Sequence, residues 1–273
     1  MVALGIAGFI GIGMWSLMQV ENKTYALQDN TSQMQQNLRA AVDQISRDVL
    51  LAGQGPAWQM TINGATSTWY TLSAGWNFGQ PYYINNAANA NELDIIGIAS
   101  IASTGNTQTT LSAAVASGAT QITVAPAAQS AYFPVGTYID VGDEGAYESA
   151  KVTGVAGSTL TIDTKPNTGK ALQGSYASGT NVCPLQWITY VVNTATNQLT
   201  RDQHDGNGPQ VVAYNIQNLN VQAQTAYCAG VSLPGCPVPD GGTLQITLTG
   251  LGAGPNAANV SYSATNTIHL RNL

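Results

Sequence analysis

Charge is the scarcest commodity in this sequence. Only 8 % of its 273 residues are Asp, Glu, Lys or Arg, against roughly a quarter in an ordinary soluble domain. The polar surface must therefore come from Asn, Gln, Thr, Ser and Gly, as on an uncharged extracellular protein. Eight basic residues against fourteen acidic ones leave a net charge of −6. Nucleic-acid binding needs a basic patch that displaces counterions from phosphates, and no such stripe exists here, so nucleic acid is not the main ligand. Histidine is nearly missing too: His204 and His269 cannot build an ordinary zinc site, and no CxxC pair helps them. No G-x-S-x-G elbow marks a nucleophile. GFIGIG near the start lies in an oily run, where a pyrophosphate would find no polar surroundings. The sequence does not read as an enzyme.

Cysteine is sparse: Cys183, Cys228 and Cys236. The last two enclose a short loop with Pro and Gly, so their spacing favours a Cys228–Cys236 disulfide. Cys183 stays outside that pair or competes for one of its partners. An oxidising compartment fits this pattern.

What the sequence does have is an apolar beginning. Residues 1–20 carry no charge, and about 20 apolar residues in a helix span roughly 30 Å. They lack the basic start of a secretory signal peptide. Gly5, Gly8, Gly11 and Gly13 each cost a water-exposed helix up to about 1 kcal/mol, but in apolar surroundings they permit close helix packing. Leu4, Ile6, Phe9, Ile10, Ile12, Trp15 and Leu17 are the candidate assembly surface. Beyond Val20 the pattern becomes amphipathic. Leu27, Met34, Leu38, Val42, Ile45 and Val49 recur at helical spacing and form a candidate stripe for packing against a head. Gly53, Gly55 and Pro56 then stop the helix. One helix is expected over residues 1–52, with a membrane or filament-core half at 1–20.

Residues 53–273 read as a β-rich head. Short β-branched runs at 92–99, 120–126, 137–141, 150–155, 158–163, 185–192, 197–202, 210–216, 219–227, 243–250 and 265–272 alternate with turn residues, as in antiparallel hairpins. Residues 108–165 look like an inserted β-module. Two acidic clusters are weak calcium candidates through their hard oxygens: Asp140, Asp143 and Glu144 (with Glu148 nearby), and Asp202 and Asp205 beside His204 and Asn207. Solvated turns explain both more simply, and no other cofactor is expected.

The stretches MVALGIAGFIGIG and LQDNTSQMQQNLRAAVDQISRDVLLAGQG, with ITYVVNTATNQLTRD, VVAYNIQNLNVQ and IHLRN more loosely, resemble the type IV pilin-like family. The nearest likeness is to minor pilins of the PilW type, and the pseudopilins of type II secretion are related. The resemblance implies an α+β fold in which a long N-terminal helix packs on an antiparallel β-rich domain. It also implies a structural subunit of an extracellular filament, either major or minor and priming. The partners would be copies of itself or other pilins, and the inner-membrane assembly machinery. Family helices begin with a motif like F-T-L-x-E-L, and Met1 aligns just after it. The leader, the methylated first residue and the helix glutamate are therefore expected upstream of Met1. The rival readings are a type II secretion pseudopilin, or a membrane-anchored periplasmic β-domain that binds protein or sugar.

Overall fold

The computed structural model describes residues 2–51, 61–62, 65–66, 71–73, 76–77, 82–86, 89–98, 109–143, 146–164, 171–204, 207–224, 243–253 and 259–269. A single helix, α1 (Val2–Leu51), runs for 50 residues, about 75 Å at its regular rise. No proline interrupts it. Among the described residues after it there are strands, turns and one short 3-10 helix. In order, the strands are β1 (Thr61–Ile62), β2 (Ala65–Thr66), β3 (Thr71–Ser73), β4 (Trp76–Asn77), β5 (Tyr82–Asn86), β6 (Asn89–Ile98), β7 (Thr109–Leu111) and β8 (Gln121–Ala125). They continue as β9 (Tyr138–Asp143), β10 (Ala146–Ala156), β11 (Thr159–Asp163), β12 (Asn181–Asn193), β13 (Gln198–Asp202), β14 (Gln210–Tyr214), β15 (Ile216–Gln224), β16 (Thr243–Ala253) and β17 (Asn259–His269).

The expected α+β class is corrected by this inventory. Among the described residues seventeen strands accompany one α-helix, so the chain is mainly β. The physical reason lies in the sequence beyond residue 60, where Thr, Val and Ile alternate between turn residues and no second 3.6-residue stripe develops.

The head has two cores that share β12. In the first, β5, β6, β12, β13 and β14 pair antiparallel, and β15–β16–β17 form a separate three-stranded sheet. The helix lies against β16, β17, β14 and β6. Its Met34, Leu38, Ala41, Val42, Ile45 and Val49 pack with Leu93, Ile188, Tyr190, Leu199, Leu219, Leu244, Ile246 and Ile268, among others. Fully burying one such aliphatic side chain stabilises by about 1.5–3 kcal/mol. Gly250 makes room for the helix, since a Cβ there would overlap Met34 Cε.

The second core belongs to a ring. Successive pairings run β12–β7–β8–β11–β10–β9. β9 pairs again with β12 through Val182↔Val141 and Leu185↔Tyr138, while β7 holds the other side at Val182↔Thr109. Six antiparallel strands thus close into a small barrel, which removes their edges. Leu111, Ile122, Val124, Phe133, Ile139, Val141, Val152, Leu160, Ile162, Leu172 and Val182 fill it. This core reaches past residue 165 to Leu172, Tyr176 and Val182. Because β6 and β12 pair directly over Leu185–Val191, the barrel is an excursion between two neighbouring strands.

Candidate functional site

The helix changes character along its length. From Met34 onward its inner face is covered by the head, and Ile45 and Val49 have no exposure. Leu27 is half-buried, at the edge of that contact. Towards the N-terminus the described apolar side chains are left exposed. Ile6, Ile10, Ile12, Trp15 and Leu17 are 56–72 % exposed, and Met14, Met18, Val20 and Tyr25 are similarly bare. The side chains of Leu4 and Phe9 lie outside the described residues. A Cβ at Gly8, Gly11 or Gly13 would meet nothing within 4 Å. Among the described residues no helix is long and apolar enough to cross a membrane.

Polar anchors fix the inner half. Asp48 falls on the dry stripe, where Arg201 Nε donates to its Oδ2 at 2.7 Å and Tyr190 OH donates to the same oxygen at 2.5 Å. Burial alone would lower the Arg201 guanidinium; the hydrogen bond and charge of Asp48 outweigh it, and the net shift is upward. Burial first, and then the Asp48 charge, push Tyr190 well above the ordinary phenol range. Further along, Asn266 Nδ2 donates to Ser46 Oγ at 2.9 Å. Thr31 and Tyr262 hydroxyls meet at 3.1 Å, close to where the helix leaves the head. Sequence reading missed this anchor, although one signal was visible. Asp48, three residues after Ile45, sits where the helical pattern calls for an apolar side chain.

On the sheet face opposite the helix stands a second polar group. β12 sends Ile188, Tyr190 and Val192 to the helix-bearing core, so Trp187 and Thr189 point the other way. Thr189 Oγ1 donates to Asp94 Oδ1 at 2.5 Å, and Trp187 Nε1 donates to the same oxygen at 3.1 Å. His204 stacks on Trp187, with centroids 3.4 Å apart and planes 15° from parallel. Its Nε2 lies 2.8 Å from Thr189 Oγ1, and its Nδ1 lies 3.9 Å from Asp202 Oδ2. His204 has φ 52°, a left-handed conformation held by its backbone N–H donating to Asp202 Oδ1 at 2.8 Å. Burial raises the Asp94 carboxyl to about 7, with neighbouring Glu92 adding to the rise; the Thr189 and Trp187 hydrogen bonds oppose it.

Thr189 Oγ1 donates to Asp94 Oδ1 and meets His204 Nε2, whose role as donor or acceptor follows the imidazole tautomer. While Asp94 is ionised the Thr189 proton is committed to it, and Oγ1 then accepts from His204 Nε2–H, which links His204 to Asp94 rather than activating Thr189. His269 ends β17 and takes no part in this link.

The calcium candidates do not converge. Asp140 is buried in β9, with register partners Ser149 and Cys183. Glu148 pairs with Val141 and so lies on the opposite, inward face of the barrel wall. There its carboxylate accepts from the backbone N–H of Gln173 at 2.9 Å and of Gly174 at 3.2 Å, and from Tyr176 OH at 3.3 Å. This ties the 171–177 segment across the barrel end. Asp202 belongs to the His204 turn. The side chains of Asp143, Glu144 and Asp205 lie outside the described residues, as do Cys228 and Cys236. Among the described residues no three His, Cys, Asp or Glu side chains gather as a metal site. A pocket lined by Arg201, Gln203, Asn207, Gly208 and Gln210 opens beside the β13–β14 turn, with no carboxylate among its described lining residues. Cys183 is buried in β12.

A scan against models of known protein families finds no match, and no curated protein matches the sequence.

Proposed function

We propose that this chain is a structural subunit of an extracellular filament of the type IV pilus kind, assembling through the N-terminal half of α1. One observation carries the reading. A continuous 50-residue helix has its C-terminal stripe sealed into the head, while Ile6, Ile10, Ile12, Met14, Trp15, Leu17, Met18 and Val20 stand bare on its other half. Apolar side chains at this density lose about 25 cal/mol for every Å² left in water. They call for a cover of comparable length, and helices of further copies supply one. The open space around Gly8, Gly11 and Gly13 lets those backbones approach closely. Before assembly the same half would rest in the inner membrane. A surface poor in charge spares crowded heads from mutual repulsion.

The test is fractionation of sheared surface filaments from cells that make the chain, with quantitative mass spectrometry. The expected result is release of the chain with the filaments, and loss of that release in an Ile12→Asp variant whose head still folds. Near-exclusive presence marks a main subunit, and trace presence among relatives marks a priming one. Retention in the membrane fraction after shearing overturns the proposal in favour of a membrane-anchored head.

A further inference from the structure

Among the described residues, the sheet face turned away from the helix holds two deeply buried carboxyl groups, Asp94 and Asp140, that take part in no ion pair. Asp140 is 1 % exposed, and neither of its carboxyl oxygens has a hydrogen-bond partner. A buried carboxylate with no donor is among the costliest arrangements a protein can hold. Asp94 is 2 % exposed, and both of its side-chain donors, Thr189 and Trp187, converge on Oδ1.

The surroundings of each offer little compensation. Around Asp94, Glu92 on the same strand adds like charge and a carboxyl–carboxyl hydrogen bond, both of which favour the protonated form. β12 contributes only the neutral Thr189 and Trp187, and the β13 end contributes Asp202 and His204. On β5 its register partner is Tyr83. Around Asp140, Tyr138 precedes it by two residues, and β12 places Cys183 opposite. β10 places Ser149 opposite, with Tyr147 and Lys151 at the flanking register positions. Lys151 Nζ stands over the Tyr138 ring, 5.3 Å from its centroid. Among the described residues no ion pair joins Lys151 to Asp140. Across the barrel wall Tyr176 is itself pushed up, by burial first and then by Glu148 and Asp140. β1 (Thr61–Ile62) lies against β10.

We propose that this face is a proton-operated clasp: the sheet closes fully over Asp94 and Asp140 only while both carboxyls carry protons, so the head is tightest in mild acid and loosens as the medium turns alkaline. Burial lifts Asp140 to about 8 and Asp94 to about 7, from 3.8 for both in the unfolded chain. Between those limits the folded head holds protons that the unfolded chain releases, so stability falls as pH rises. The contribution is complete below about pH 4 and is lost by about pH 8. The clasp belongs to the head and does not depend on filament assembly.

The experiment is thermal unfolding of the full chain in detergent at pH 5 and pH 8, with Asp94→Asn and Asp140→Asn as permanently neutral mimics. The wild-type Tm should fall by at least about 5 °C from pH 5 to pH 8. The double variant should flatten that slope and melt higher than wild type at pH 8. A second measurement needs no variant. Alkylation of Cys183, which stands opposite Asp140, is read by mass spectrometry against the denatured chain at the same pH, which cancels the thiolate fraction. Its protection should fall about tenfold from pH 6 to pH 8. A Tm that is constant or rises with pH, or Cys183 protection that does not fall, overturns the clasp.

Discussion

The two halves of α1 make opposite use of one secondary structure. The C-terminal half presents a stripe about one side wide, and that stripe disappears into the head. The N-terminal half is apolar on every side over residues 1–20, and its described side chains stand exposed. Backbone hydrogen bonding is the same in both. What separates them is where their apolar surface goes, and so the same kind of substitution should report stability in one half and assembly in the other.

The largest contrast should come from the anchor. Asp48→Ala leaves the Arg201 guanidinium half-enclosed with no counterion and Tyr190 OH with no acceptor. It should cost about 4 kcal/mol in urea unfolding, much of which Asp48→Ala combined with Arg201→Met recovers. If the single variant unfolds like wild type, the anchor is not what holds the inner half. Next is the stripe itself. Ile45→Ala, at a fully buried position, should destabilise by about 3 kcal/mol through lost burial and the cavity it leaves. The closeness of helix and sheet is probed by Gly250→Ala, which pushes against Met34. A cost of about 2 kcal/mol is expected, only part of which Met34→Ala relieves, because the added Cβ also lies 3.0 Å from the Asn215 carbonyl oxygen. The smallest effect falls on the outer half. Ile12→Ala should shift the unfolding of the isolated chain by less than about 0.5 kcal/mol. An Ile12→Ala cost as large as that of Ile45→Ala would erase the distinction between the halves.

Much of the architecture is legible in the sequence, because periodicity reports burial directly. The stripe from Met34 to Val49 names the residues that enter the core, and the helix expected at 1–52 is found at Val2–Leu51. Strands such as Thr159–Asp163 and Gln198–Asp202 alternate clearly enough to be placed within a residue or two. The fold class is another matter. Weighing one long helix equally with many short strands suggests α+β, whereas the strands dominate. Ring closure is not legible at all, since it depends on β9 meeting the far side of β12, some forty residues on. The polar group on the back face is equally hidden. Asp94, Thr189 and His204 come from distant stretches, and their meeting depends on the β6–β12 register, which no local pattern encodes. Glu148 reads as a solvated acid in sequence, yet it is fully buried and satisfied by two backbone amides and a phenol.

β12 is the one strand that both cores require. Its first residues close the barrel and its last residues carry Ile188, Tyr190 and Val192 to the helix. A slip of a single residue would turn every one of these side chains to the opposite face at once. The head therefore has no partial solution in which one core is correct and the other is not. Two separate interiors answer to a single decision, and the head should melt in one cooperative transition although it contains two hydrophobic centres.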